Sequence, residues 1–255
     1  MLPSERIEKL QSLLAEKKFL NIKELKQEFN ISRSTATRDL EYLIQQGLAR
    51  RTRGGIMRIE THDSFECPKF STNKYVPRLE EKRKIAAKAF ELLTPPTTLF
   101  IDGGTTTMQL CPYLKTGDFR IITNSVGLAC YLIQNSSLEV ILAGGLVHKR
   151  GMITIGPNAL QVIKSVHADW YIGSSGGIDE KGLTNTDLLT VEIEQQMIKQ
   201  SSQTMFLLDH SKFGKKVLTY FTEFEAMDVL VTNAIPPPEI YNRLQNADVQ
   251  VVIAD

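Results

Sequence analysis

The sequence predicts an α/β chain in two parts: a small helical head that ends in a basic hairpin, and behind it an open, doubly wound, mostly parallel sheet. Three observations carry that reading. Before residue 58 the apolar residues recur three and four apart in three short runs, and the last run gives way to an arginine- and glycine-rich turn. Beyond residue 97, short unbroken runs of Leu, Ile and Val alternate with helical patterns, as expected of parallel strands covered on both faces. Charge divides at the same place. Residues 1–60 hold twelve Lys and Arg against eight Asp and Glu, whereas the remaining 195 hold 18 against 21. A basic head on a slightly acidic body suits a nucleic-acid-binding module joined to a second domain.

Ser4 opens the first predicted helix, whose stripe is Ile7, Leu10, Leu13 and Leu14. Asn21 opens the second, with Glu24 three residues on at capping-box spacing and Leu25 and Phe29 facing inward. Asn30, Ile31 and Ser32 make a turn short enough to cross two helices. Ser32 then caps the third, its hydroxyl accepting one of the backbone N–H groups that a first turn leaves unpaired. Ala36, Leu40, Leu43 and Ile44 form the buried stripe of that helix; Ser34, Thr35, Arg38 and Tyr42 lie opposite, with Thr37 on the flank. Gly47 ends it, and residues 48–56 read as a tight hairpin carrying Arg50, Arg51 and Arg53 around Gly54-Gly55. Together these predict a winged helix-turn-helix over residues 1–58. Its DNA-facing set is Arg33, Ser34, Thr35, Thr37 and Arg38 on the reading helix, with Arg51 and Arg53 on the wing. Arginine can pair bidentately with guanine, and hydroxyls reach base edges or phosphates.

Residues 59–78 lack periodicity, carry Pro68 and Pro77, and read as a linker to a domain over 79–255. From Leu79 the pattern is helical, with Ile85, Ala86, Ala89, Phe90 and Leu93 on one side and a charged run, Glu80 to Lys84, at its start. Strands are expected at 98–101, 120–123, 138–143, 168–172, 204–208, 228–231 and 249–253. Helices are expected through Met108 and 110–114, over 126–133, over 188–199 and between the last two strands.

In such sheets ligands bind beyond the carboxyl ends of the strands. Gly, Ser, Thr, Asn and Asp gather there, in Asp102-Gly103-Gly104-Thr105-Thr106-Thr107, in Asn124-Ser125, in Gly144-Gly145 and in the 173–177 stretch that includes Gly176. The first loop is the most informative. Two glycines let the backbone approach a ligand, three hydroxyls add donors, and a helix start offers free N–H groups, a combination suited to phosphate. It is neither a Walker A loop nor G-x-G-x-x-G, so ATP and NAD are not indicated and no cofactor is expected.

Taken in order, these motifs resemble those of the DeoR-type family of bacterial sugar-responsive transcription regulators. S-x-x-T-x-x-R-D-L-x-x-L from Ser32, continuing through Gly47-Leu48 to Arg53-Gly54-Gly55, is similar to its DNA-binding head, with Thr37 where the family usually has the first of two arginines. I-D-G-G-T-T-T, I-I-T-N-S, A-D-W-Y-I-G-S-S-G-G-I, G-L-T and L-L-D-H-S-K-F-G are similar to its sensor domain, which is itself similar to ribose-5-phosphate isomerase. The resemblance implies a double-stranded DNA operator and a phosphorylated sugar effector as partners. It also implies Asp102, Gly104, Thr105, Thr106, Thr107, Asn124, Asp169 and Lys212 as ligand positions; Gly103, Ser125, Gly144, Gly145 and Gly176 complete the expected set. One departure lies in helix 188–199. Glu192, Glu194, Gln195 and Gln196 stand before Met197-Ile198, where family members often carry basic residues.

Cys67, Cys111 and Cys130 fit neither a zinc pattern nor a disulfide framework, and the four histidines show no metal-ligand spacing, so no metal is expected. No signal-like or membrane-spanning run is present in the sequence given, and a cytoplasmic setting is expected. Three functions are open: a transcription regulator, a phosphosugar isomerase with an appended nucleic-acid-binding domain, and a nucleic-acid-binding module whose second half only oligomerises, against which the Gly- and Thr-rich rim argues. The isomerase would draw its base from Asp102, Asp169, Asp179 or Glu192. The basic reading head favours a regulator, expected to be a repressor of carbohydrate genes and not an enzyme. Paired half-sites make a homodimer or homotetramer the expected assembly.

Overall fold

The structure is a computed structural model that describes residues 6, 7, 9, 10, 13, 14, 17, 19–45, 49–52, 54–58, 76–115 and 117–254. It forms two compact units, Met1–Glu66 and Cys67–Asp255. Ser4, Gly47, Leu48, Arg53, Cys67 and most of the expected linker lie outside the described residues.

In the first unit Ile7, Leu10, Leu13 and Leu14 are helical, and Leu10 and Leu14 are buried. Strand β1 (Phe19–Asn21), which the sequence reading missed, precedes a helix over Ile22–Glu28. Asn21 caps that helix as expected, accepting from the Lys23 N–H at 2.7 Å. Asn30 takes a left-handed conformation (φ 49°), one that Asn adopts more readily than most residues. The chain then enters the reading helix, Arg33–Gln45, with Ala36, Leu40 and Leu43 buried beneath it. The wing is a three-stranded sheet rather than a lone hairpin: β3 (Gly55–Arg58) lies between β1 and β2 (Ala49–Thr52), antiparallel to both. Its two glycines have different reasons. Gly54 has a φ of 90°, and a Cβ on Gly55 would overlap Leu20 O where β1 passes.

The second unit is built on seven strands, all paired in parallel: β4 (Thr97–Ile101), β5 (Phe119–Thr123), β6 (Glu139–Leu142), β9 (Ala168–Gly173), β12 (Ser201–Leu208), β14 (Val229–Thr232) and β15 (Gln250–Ile253). Their spatial order is β15-β14-β12-β9-β4-β5-β6. The chain therefore runs outward from β4 to β6, returns to the other side of β4, and runs outward again to β15. Alternate side chains feed two cores. Phe100, Ile122, Tyr171, Phe206 and Leu230 pack under helices Pro157–Lys164, Leu188–Lys199 and Pro238–Asn246. Leu99, Ile101, Ile121, Ile172 and Leu207 pack under helices Leu79–Glu91 and Val126–Asn135.

Two expectations need correction. The helix predicted through Met108 and 110–114 is a four-residue 3-10 helix, Thr107–Leu110, followed by turns. Three successive β-branched threonines disfavour a helix start, and Pro112 turns the preceding residue away from helical geometry. The sequence reading also passed over a hairpin, β7 (Leu146–His148) with β8 (Ile153–Ile155), and a small antiparallel sheet, β10 (Gly177–Asp179), β11 (Gly182–Asn185) and β13 (Thr219–Thr222).

Candidate functional site

The reading helix shows the expected face. Arg33, Ser34 and Arg38 are exposed, and Thr35 and Thr37 are half-buried. Ser32 Oγ accepts the Thr35 N–H at 3.1 Å and lies 2.8 Å from the hydroxyls of both Ser34 and Thr35. Thr37 differs, because its hydroxyl donates back to Arg33 O at 2.9 Å and its methyl is left for contact. Arg51 reaches back to Glu41 at 2.8 Å, with both side chains exposed. What aims this helix is Asp39. It is 6% exposed and accepts two bonds from Arg6, at 2.6 and 3.0 Å, which fasten the reading helix to the first helix.

In the second unit the strand order reverses between β4 and β9, the position where doubly wound sheets open a crevice at their carboxyl ends. The 102–107 loop leaves β4 there. Backbone approaches closely at this point, and a Cβ on Gly103 would overlap the Ile153 side chain of β8. Asn124, at the end of β5, accepts the Gly103 N–H at 3.2 Å. The three threonines divide their labour. Thr107 is fully buried and donates to the carbonyls of Asp102 and Gly104; Thr106 is buried; Thr105 is exposed. Because the helix behind them is only four residues long, the helix-start argument for phosphate fails.

Cations take its place: Lys212, which the expected set includes, and Lys82, which it lacks. Lys82, on helix Leu79–Glu91, is 6% exposed; its Nζ donates to Thr105 Oγ1 at 3.0 Å and lies 3.9 Å from Asp209. Lys212, in the turn after β12, is half-buried near the same aspartate. Burial lowers the pKa of both lysines, Asp209 pulls each back up, and neighbouring Arg78 lowers it again. Burial pushes the Asp209 carboxyl up, but the two bonds from Ser211 and the charges of Lys82 and Lys212 outweigh it and hold it below the usual range. Lys82, Lys212, Lys215 and Arg78 thus stand against Asp209 and Glu81 beside a loop of small residues, an excess of positive charge.

The other expected residues sort by position. Ser125 caps helix Val126–Asn135 through the Leu128 N–H. Gly144 and Gly145 lie two strands out from β4, where Gly145 passes against Ile155 of β8. The Gly176 N–H is bonded to Thr184 O in the small sheet. Asp169 is a correction: it sits at the amino end of β9, bonded to the Thr98 N–H at 2.7 Å and the Thr97 hydroxyl at 3.1 Å, across the sheet from the crevice.

At the base of the loop Asp102 pairs with Glu194 of helix Leu188–Lys199, the two carboxyls 2% and 1% exposed. Burial raises Asp102 to about 6 against the pull of the Gly103 N–H, Glu194 and Asn124. Burial, followed by the charge of Asp102, holds Glu194 well above its ordinary range, although Asn185 Nδ2 donates to it at 2.7 Å. Tyr171 completes the floor, its fully buried hydroxyl lying over Gly173, where a Cβ would overlap it. Among the described residues no group of three or more His, Cys, Asp or Glu side chains is placed to hold a metal ion.

The comparisons match this architecture part by part. Residues 6–62 match the DeoR-like helix-turn-helix domain, and residues 78–234 match the DeoR C terminal sensor domain. The chain belongs to the DeoR family. It is 29% identical to the HTH-type transcriptional repressor CsqR of Escherichia coli, over 97% of this chain and 94% of that one. It is 30% identical to the glycerol-3-phosphate regulon repressor of the same organism, over 98% of this chain and 99% of that one. Among solved structures, ribose 5 phosphate isomerase A of Neisseria gonorrhoeae aligns over 55% of this chain and 54% of that one at 15% identity, with a TM-score of 0.38. The relatives are named as transcriptional repressors, and this DeoR-family chain, with its helix-turn-helix domain, is a transcription regulator. No helix among the described residues is long and apolar enough to cross a membrane.

Proposed function

We propose that this regulator represses carbohydrate genes and that a phosphorylated sugar, bound in the crevice between the ends of β4 and β9, controls its hold on the operator. The observation that carries the reading is Lys82, bonded to the small-residue loop at the topological switch point with Lys212 near it and Asp209. A phosphate there meets Lys82, Lys212 and the exposed Thr105, while the sugar chain extends over polar strand ends. The name of the glycerol-3-phosphate repressor, a relative over nearly the full length, fits an effector of that chemical class. DNA is the second partner, which sets the protein in the cytoplasm, and the reading helix addresses paired half-sites as a homodimer or homotetramer.

A thermal-shift panel of phosphorylated sugars and their unphosphorylated parents tests this directly. A ligand that binds only the folded state raises the melting temperature. The expected result is a shift with at least one sugar phosphate, none with its parent, and a change of operator affinity by that same compound. Equal shifts with parent and phosphate, or a shift without any change in operator binding, would overturn the reading.

A further inference from the structure

This inference rests on the anion-site reading above and deepens it. Asp102, just past the end of β4, and Glu194, in the middle of helix Leu188–Lys199, meet side chain to side chain, both buried. Asn185 fixes one oxygen of Glu194, but Asp102 Oδ1 and Glu194 Oε2 are buried without a donor. Two bare carboxylates side by side out of water repel each other and lose their hydration; one proton between them relieves both costs. We infer that Asp102 and Glu194 share a single proton, and that Glu194 is the residue through which anion binding on the 102–107 loop is tied to pH.

The groups facing the pair are few. Tyr171, from β9, is neutral, and its hydroxyl has no partner among the described residues. Asp187, the cap of Glu194's own helix, adds negative charge and lies 3.9 Å from His148 Nε2 on β7. Asn124 and Asn185 are uncharged. Lys82, Lys212 and Asp209 stand by the Thr105 end of the loop. Loss of the shared proton turns the floor from one negative charge into two. An anion above it therefore holds the proton in place, and by reciprocity loss of the proton weakens the anion. With full coupling, affinity falls by up to about tenfold per pH unit above the titration of the pair. Glutamine at position 194 keeps an oxygen for Asn185 and offers Asp102 an N–H where the proton was. Glu194→Gln is thus a fixed copy of the protonated state.

The test is thermal unfolding of the full chain and of Glu194→Gln from pH 5 to 9, with and without sulfate, which stays dianionic throughout. Without sulfate, the wild type should lose stability relative to the variant as pH rises. Superimposable curves overturn the shared proton. With sulfate, the shift in melting temperature should shrink with pH in the wild type and hold in Glu194→Gln. Equal shrinkage in both overturns the link between Glu194 and the loop. Absence of any sulfate shift in either protein overturns the anion-site reading itself, while the sulfate-free curves still judge the proton. Should Glu194→Gln fail to fold, sulfate titration of the wild type near pH 7 in two buffers of different ionisation heat decides: uptake of up to one proton is expected, and none refutes the proposal.

Discussion

Replacing Lys82 with methionine isolates the charge at the centre of the anion site. Methionine keeps much of the unbranched stem that packs in helix Leu79–Glu91 and removes the ammonium that sits 3.0 Å from Thr105 Oγ1. A hydrogen bond between charged groups contributes about 1.5–3 kcal/mol. At 1.4 kcal/mol per factor of ten, Lys82→Met should weaken a sugar phosphate roughly 10- to 150-fold. Operator affinity without effector should stay within about twofold, since Lys82 belongs to the second unit. The substitution also leaves Asp209, 2% exposed, without its nearest cation, so some stability is lost for reasons unrelated to the ligand. The double variant Lys82→Met/Asp209→Asn separates the two effects by removing the unpaired charge while leaving the phosphate without Lys82. The assay is a calorimetric titration with whichever sugar phosphate gives the largest thermal shift in the wild type. A midpoint within twofold of wild type in both variants refutes the placement of the phosphate beside Lys82.

Arg38→Ala should abolish specific operator binding with the fold intact, at about 1–3 kcal/mol per lost bidentate contact; a shift below twofold in an operator titration would mean that another face reads the bases. Asp39→Ala removes both bonds from Arg6 and leaves a nearly buried guanidinium unpaired, so a loss of about 2–4 kcal/mol in denaturant unfolding is expected. Raised acids mean that the native state keeps a proton the unfolded chain has given up, so wild-type stability should fall as pH rises from about 4 to beyond 6; a flat profile across that window would contradict the burial of Asp102 and Glu194. Purified protein should show no turnover of pentose or hexose phosphates, and saturable conversion removed by Asp102→Asn would count against a pure regulator.

What the sequence disclosed follows from the range of the forces involved. Asn21 and Ser32 act within three residues of themselves, so both caps could be placed by inspection. The parallel strands announce themselves because burial on both faces demands unbroken apolar runs. Strands β7, β8 and β10 span three residues each, too few to show a period of two. Helix Pro157–Lys164 did carry a signal, Pro157 at its first position after Gly156, which the sequence reading did not use. Asp169 enters the expected set through the resemblance alone; a strand of six residues, Ala168–Gly173, separates it from the rim.

The residues that matter most at the crevice were visible in another way. Lys82 stands three before Ile85 and four before Ala86, and Glu194 three after Val191 and three before Met197, so both lie in phase with the buried stripes of their helices. Asp39 is in phase too, three after Ala36 and four before Leu43. A charge on such a stripe is costly unless it is paired, and each of the three has a partner from elsewhere in the chain. What separates them is what remains after pairing. Asp39 spends both oxygens on Arg6, which is how a structural tie looks. Lys82 uses one of its three N–H donors on Thr105, and Glu194 keeps Oε2 without a donor among the described residues. In-phase charge therefore finds the buried polar residues, and unspent hydrogen-bonding capacity distinguishes the two at the crevice from the one that holds the reading helix in place.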